Sequence, residues 1–376
     1  MKDWLSSISS HKRGIWRYES MLPHIRPDKQ ITMGEGGTAL VRSQHIAKEL
    51  GLSSIYFKLE SGNPTGSYKD RISAMGVSWA LEQGKNGCIG TSSGNAGASA
   101  AAYAARAGLP YHLFVLEDIV EAKLMQAVIH EAEIIRIKGF GESAEIGEQV
   151  FAFIEQEAAK RNLEVMITAY QFNAVAMEAV KTIAFELAED FTATGEPMPD
   201  AVFVPVGGGG LYTGIWNGFF ELMEKGFIGR MPRMAAVQSD GCSNIVRAWQ
   251  QGSASPLPGD STCRISGLQV PNPPDGKEVL RALHAGDGFG IEVKDDEVWM
   301  WQEKLATQEG ILCEPAAAVS LAGLHQALKE KRLQPGSSAV CILTGAGYKD
   351  NDRLRAICRS KPEIPMCEIS ELSGLA

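Results

Sequence analysis

Short apolar runs rich in β-branched residues alternate along the chain with longer stretches whose apolar positions recur at helical spacing. The runs lie at 55–59 (IYFKL), 112–116 (HLFVL), 134–137 (IIRI), 201–206 (AVFVPV), 234–238 (MAAVQ) and 338–344 (SAVCILT), with a shorter one at 88–90 (CIG). Their length and composition predict strands. Within 68–83, Ile72, Met75, Trp79 and Ala80 fall at i, i+3, i+7 and i+8, which predicts a helix with one apolar face. The alanine-rich segment 95–107 is closed by Gly108 and Pro110, a helix stop. Further helices are predicted over 121–132, 142–161, 177–190, 211–224, 295–309 and 315–331.

Repeated strand–helix–strand order predicts an α/β fold of parallel-rich sheets covered by helices on both faces. In such sheets ligands gather at the carboxyl ends of the strands, where loops meet helix N-termini. The stretch 252–276, rich in Gly, Ser, Pro and Asp, reads as a long surface excursion. At 376 residues the chain is long enough for two domains, and with 44% hydrophobic residues it can fill its cores without disulfides or a structural metal. The formal net charge of −9 argues against a nucleic-acid binder. Seven scattered cysteines without a C-x-x-C pair read as small buried hydrophobes in a reducing compartment. The N-terminus has no apolar signal-like segment, and no run approaches the length of a membrane span. A cytoplasmic protein without membrane or nucleic-acid partners is the expectation.

Candidate chemistry falls in four segments, each at the end of a predicted strand. Gly207, Gly208, Gly209 and Gly210 follow the run 202–206 and open a helix at Leu211. Backbone N–H groups bared in this way, with the positive end of a helix dipole, suit a phosphate. A tight turn would need only one or two glycines, and neither a P-loop nor a dinucleotide fingerprint is present. Lys69, in the segment 60–71 (ESGNPTGSYKDR), falls in the first turn of a helix, where the dipole disfavours a cation. That suits an amine that must form an imine; a surface lysine at a helix start is the plainer alternative. The segment 91–97 (TSSGNAG) offers Ser92, Ser93 and Gly94 to a carboxylate at a helix N-terminus, with Asn95 either a ligand contact or only a cap. Thr344 closes the last strand, where its hydroxyl faces either a ring nitrogen or simply a turn.

Taken together and in this order, these segments resemble the fold-type II pyridoxal 5′-phosphate (PLP) enzymes, and the threonine synthase family in particular. The resemblance covers roughly residues 30–350 and includes GEGGTALVRS at 34–43, KTIAFEL at 181–187, PRMAAVQSDGC at 232–242, GLQVP at 267–271, EPAAA at 314–318 and TGAGYKD at 344–350. It implies a two-domain fold of the tryptophan synthase β type. Residues 1–72 and 176–376 would form the large cofactor domain, and 73–175 a smaller domain that closes over the substrate. It further implies a homodimer, and a lyase that abstracts an α-proton from a small amino acid and eliminates a leaving group, with or without re-addition at Cβ. Carried over by position, Lys69 is the Schiff-base lysine and proton carrier, and Asn95 meets the cofactor's ring hydroxyl. Gly207, Gly208, Gly209, Gly210 and Leu211 bind its phosphate, Thr344 meets the pyridine nitrogen, and Ser92, Ser93 and Gly94 receive the substrate carboxylate. No metal is implied.

The departures from the family bear on the substrate. Threonine synthases typically read N-P-Y-R-[IL]-E-G-Q-K-T where this chain reads NAVAMEAVKT at 173–182, so the family's arginine falls on Ala176. G-L-R-V-P becomes GLQVP, placing Gln269 at a second arginine, and a histidine is replaced by Ala346. The loop GGGGL stands closer to the serine/threonine dehydratases than to the usual G-N-G-G-N. Arginine forks hold phosphate monoesters through charge-assisted pairs. O-phosphohomoserine is therefore a weaker expectation than a less anionic substrate, and a dehydratase or β-replacement activity on a hydroxy-amino acid is the alternative. A protein that binds PLP and amino acids without turnover is a third.

Overall fold

The structure, a computed structural model, describes residues 4–92, 94–117, 119, 121–140, 144–364 and 366–369. Its strands are β1 (Leu40–Arg42), β2 (Ser54–Leu59), β3 (Gly87–Thr91), β4 (Tyr111–Leu116), β5 (Glu133–Ile137), β6 (Leu163–Val165), β7 (Ala201–Pro205), β8 (Arg233–Ser239), β9 (Phe289–Val293) and β10 (Ser338–Leu343). They form a six-stranded sheet in the order β1-β2-β10-β7-β8-β9 and a four-stranded sheet in the order β5-β4-β3-β6. Every pairing is parallel except the edge pair β1–β2. This is the fold-type II α/β architecture. The expected strands are present to within a residue or two, while β1, β6 and β9 lie outside the runs read from the sequence.

The large sheet is filled from both faces. Alternate residues of β7 and β10 point to opposite sides, as the pleat requires. Val202, Val204, Val340 and Ile342 join one core with the helices Lys181–Thr194 and Gly210–Glu224. Ala201, Phe203, Ala339, Cys341 and Leu343 join another with Asp295–Glu309 and Pro315–Lys329. Continuous apolar runs are what strands covered on both faces need.

The helix Lys69–Glu82 lies between the two layers. Ile72 packs in the core of the large sheet, whereas Ala74, Met75, Val77 and Ala80 pack with Tyr111, Leu113 and Val115 of the small one. The single apolar face expected of it is therefore an understatement, because Asp70 to Ser78 are all buried. Close approach is enforced at Gly76, where a Cβ would stand 2.9 Å from Met166 Sδ and 3.1 Å from Ala176 Cβ.

The first turn of this helix is held by charge. Arg71 is fully buried, and donates from Nε to Glu60 Oε2 (2.8 Å), from Nη2 to Glu60 Oε1 and Glu186 Oε2 (both 2.8 Å), and from Nη1 to Thr182 Oγ1 (2.9 Å). Lys58 Nζ lies 2.8 Å from Glu186 Oε2 and donates to Thr38 O at 2.7 Å. Burial opposes ionisation of Glu186, but Arg71 and Lys58 overcome it and hold the carboxyl well below the usual carboxylate range. Asp70 accepts the Thr65 N–H at 2.6 Å, fixing the loop before Lys69.

One further expectation needs refinement and one correction. The stretch 252–276 is irregular up to Gly276 and runs largely exposed or half-buried, as expected, but it is pinned to the core by Cys263, Ile265 and Leu268. Of the seven cysteines, five are buried, while Cys358 and Cys367 are exposed. Among the described residues no helix is long and apolar enough to cross a membrane, and no His/Cys/Asp/Glu group is arranged to hold a metal.

Replacing Arg71 by Leu strands two buried carboxylates and is expected to cost about 3–5 kcal/mol. Urea denaturation checks this: the midpoint should fall steeply, and an unchanged midpoint would remove the buried ion cluster from the account.

Candidate active site

All four chemical segments stand at carboxyl ends of parallel strands. β2 leads to Lys69, β7 to Gly207–Gly210, β10 to Thr344 and β3 to Ser92–Asn95. Because β2, β10 and β7 are sheet neighbours, residues more than a hundred positions apart in sequence converge there. The Tyr68 N–H donates to Thr344 O (3.1 Å), the Ala346 N–H to Gly66 O (2.9 Å) and the Glu314 N–H to Gly345 O (3.1 Å). These bonds stitch the lysine loop, the end of β10 and the start of the helix Pro315–Lys329 into one floor.

Lys69 is the first residue of its helix, and its Nζ donates to Thr168 Oγ1 at 2.6 Å and lies 4.8 Å from the centre of the Tyr68 ring. It is not a free surface lysine. Thr168 stands after β6, a partner that nothing in the sequence pattern indicates.

The glycine loop links β7 to the helix Gly210–Glu224. Gly209 has φ +100°, and a Cβ there would lie 2.9 Å from the carbonyl of Asp275. A Cβ on Gly207 would lie 2.6 Å from Gly267 O, and one on Gly210 2.5 Å from Met177 Cε. Side chains are thus excluded at three of the four positions, more than a turn requires. The amides of Gly207 to Leu211 donate no hydrogen bond to the described residues. Five bared N–H groups at a helix N-terminus form an anion cradle.

Asn95 is the first residue of the helix Asn95–Ala107 and does not cap it. Its Nδ2 donates to both carboxylate oxygens of Glu314 (3.1 and 3.0 Å), and Thr344 Oγ1 donates to Glu314 Oε1 at 3.3 Å. One half-buried carboxyl therefore joins the two side chains expected at opposite edges of a ring. Burial pushes the Glu314 carboxyl up, against the hydrogen bond from Asn95, the nearby Lys349 charge and the bond from Thr344. A Cβ on Gly345 would stand 2.4 Å from Glu314 Oε1, so that approach needs glycine. Ser92 Oγ accepts the Gly94 N–H at 3.1 Å; Ser93 lies outside the described residues. Sequence reading missed Glu314 as a site residue, although Glu-Pro ahead of a helical run marks the position.

Asp275, also missed, closes the site behind the glycine loop. It is 2% exposed, accepts the amide N–H groups of Tyr170 (2.9 Å) and Gln171 (3.1 Å), and donates its own N–H to Gly208 O (2.9 Å). The positions where the family carries arginine are elsewhere occupied. Ala176 is fully buried against the Lys69 helix, and Gln269 Nε2 donates to Cys263 O at 2.7 Å.

The family model for pyridoxal-phosphate dependent enzymes matches residues 31–345. A threonine synthase of Methanocaldococcus jannaschii is 37% identical over 383 residues, covering 100% of this chain and 90% of that protein. The chain belongs to the threonine synthase family of PLP-dependent enzymes. A second threonine synthase, from Halalkalibacterium halodurans, is 34% identical, covering 94% of this chain and 95% of its own length. Among solved structures, a tomato threonine deaminase isoform (TM-score 0.70, 16% identity, covering 92% of each chain) and maize serine racemase (0.69, 19%, covering 86% of this chain and 92% of that one) share the fold.

The cofactor of this lyase family is PLP, and the residues present fit it. The anion cradle suits its phosphate. Ser67 Oγ, buried two residues before Lys69, has no hydrogen-bond partner among the described residues and so leaves a polar group free to meet a ligand there.

Gly209→Ala should weaken PLP binding about tenfold or more, since the left-handed backbone and the Asp275 contact together cost about 1–3 kcal/mol. Gly208→Ala, whose Cβ would lie 3.3 Å from Pro274 Cδ, should be milder. Cofactor titration followed by absorbance measures both; equal affinities would argue against the cradle.

Proposed function

We propose that this enzyme abstracts the α-proton of a small amino acid through Lys69 and eliminates a neutral leaving group from it. The substrate class this favours is a hydroxy-amino acid. The observation that carries the reading is the convergence of Lys69, the five bared amides of Gly207–Leu211, and the Asn95 and Thr344 side chains at neighbouring strand ends.

In this reading PLP supplies the electron sink for the carbanion, and the protein decides which proton moves. Lys69 holds the cofactor and, once freed by substrate, carries the α-proton. Thr168, its hydrogen-bond partner, keeps the amine aimed at that position. Asn95 meets the ring hydroxyl. Thr344 offers a hydroxyl to the pyridine nitrogen, so protonation there is not enforced as a carboxylate would enforce it. Glu314 positions both groups through its shared carboxyl. Ser92, Ser93 and Gly94 receive the substrate carboxylate at a helix N-terminus. Residues 73–175, which contain the four-stranded sheet, close as a unit over the large domain (1–72 and 176–376) and exclude water. A cytoplasmic homodimer is the assembly this reading takes.

A neutral leaving group is supported by the replacement of the family's two arginines by a buried alanine and a glutamine tied to the backbone. Conversion of O-phosphohomoserine to threonine is the second reading. It is favoured by the relatives that match over nearly the whole chain, which are threonine synthases.

Product analysis decides between them. Ammonia and a 2-oxo acid from serine or threonine, with α-deuterium exchange in heavy water, are the expected result. Phosphate and threonine from O-phosphohomoserine would establish the second reading. Exchange with no substrate would reject both in favour of a binding protein.

A further inference from the structure

Lys349, five residues beyond Thr344 in the segment 344–350, has no part in the chemistry described above, yet its Nζ is engaged on two sides. It donates to Thr65 O at 2.6 Å and to Gln126 Oε1 at 2.7 Å. Thr65 lies four residues before Lys69, and Asp70 accepts hydrogen bonds from both its N–H and its hydroxyl. Gln126 lies on the helix Glu121–Ile129, which joins β4 to β5 of the small sheet. Leu124 and Ala127 fasten that helix into the core beside the small sheet. Lys349 itself ends the turn Gly347–Lys349 after β10, and the Gly347 N–H donates to Leu312 O at 3.2 Å. One ammonium therefore reaches from the large sheet to the small one, through the loop that sets Lys69.

The bonds Asn95–Glu314 and Lys69–Thr168 also cross between the two layers, but each uses a side chain that the cofactor or the substrate would claim. The Lys349–Gln126 bond uses neither, so filling the site does not call on it. Both acceptors of Lys349 are neutral, and burial pushes its ammonium down against the pull of Glu314 and Asp70. A half-buried charge met only by neutral oxygens is a poor stabilising device. It does suit a tie that holds two layers together and can still open. We propose that Lys349 is a positioning residue that ties residues 73–175, through Gln126, to the loop before Lys69, and so holds the closed arrangement in which the α-proton moves. This inference rests on the reading of 73–175 as the part that closes and of Lys69 as the proton carrier. It deepens that reading by naming a bond that closure makes outside the reach of the cofactor.

The test is amide hydrogen exchange of the PLP-loaded enzyme, without added substrate, read by mass spectrometry. Lys349→Met and Gln126→Leu should each speed exchange about tenfold or more in the helix Glu121–Ile129 and in the loop 63–68, the size expected for one hydrogen bond to a charged group. Exchange in β7 and β10 should not change. A response of the loop 63–68 to a substitution at Gln126 is the signature of the tie, because the two are joined through Lys349. The double variant should be no faster than either single one, since both remove the same bond. Gln126→Glu, which offers the ammonium a charged acceptor, should slow exchange at both places below the wild-type rate. The Gln126 variants decide the matter alone if Lys349→Met folds poorly. Turnover gives a second readout, with whichever of L-serine, L-threonine and O-phospho-L-homoserine the wild type consumes. Loosening variants should raise KM more than they lower kcat, and Gln126→Glu should lower KM. A merely structural role would speed exchange in both sheets, make the two substitutions additive, or lower kcat alone, and any of these overturns the proposal. So does a Gln126→Glu variant as loose as Gln126→Leu. Failure of the underlying reading is separately visible as a wild type without α-deuterium exchange on any of the three amino acids, while backbone exchange still answers for the tie.

Discussion

The whole site hangs on the burial of Arg71. A guanidinium removed from water is tolerated only when its donors are satisfied and its charge is matched, and Glu60 and Glu186 supply both. Those two carboxylates arrive from different parts of the chain, Glu60 from the end of β2 and Glu186 from the helix Lys181–Thr194. The cluster therefore fixes where the Lys69 helix begins relative to the large sheet. Asp70, which grips the preceding loop, and Arg71 follow Lys69 directly, and both are buried and bonded. The Lys69 side chain is left to reach Thr168, which is a different arrangement from a lysine fraying at a helix end.

The second constraint is strand order. β10, last in sequence, inserts between β2 and β7, so the ends of the second, the last and a middle strand become neighbours. The Gly207–Gly210 cradle, Thr344 and Lys69 face one cleft for that reason alone. The helix Asn95–Ala107, from the small sheet, closes the fourth side through Glu314. A carboxyl shared between Asn95 and Thr344 couples the two sheets at the site itself, so any movement of the small sheet is registered there.

The elements legible from the sequence were those whose periodicity is set by burial on both faces. β7 and β10 could be read directly, and the helices 95–107 and 295–309 agree with expectation at both ends. β1 and β6 are three residues long, and β1 lies at an edge, so neither carries enough apolar residues to signal itself. The irregular stretch before Gly276 was legible as a surface excursion because its composition is that of a loop, but its anchors in the core were not. Those anchors are Cys263, Ile265 and Leu268, three residues spaced too unevenly to form a pattern. At the site, residues following strands could be found because loops at those ends have a common purpose. Thr168, Asp275 and Glu314 could not be assigned in this way. Their roles are relations between distant residues, made by tertiary approach, and a lone Asp before a helix reads only as a cap.

The central claim is that Lys69, and no other lysine, carries the cofactor. It is tested most directly by borohydride reduction of the PLP-loaded enzyme, followed by proteolysis and mass mapping of the pyridoxyl group. The account predicts the label on the peptide containing Lys69. A label on the peptide containing Lys58 or Lys349, or on none, would contradict it.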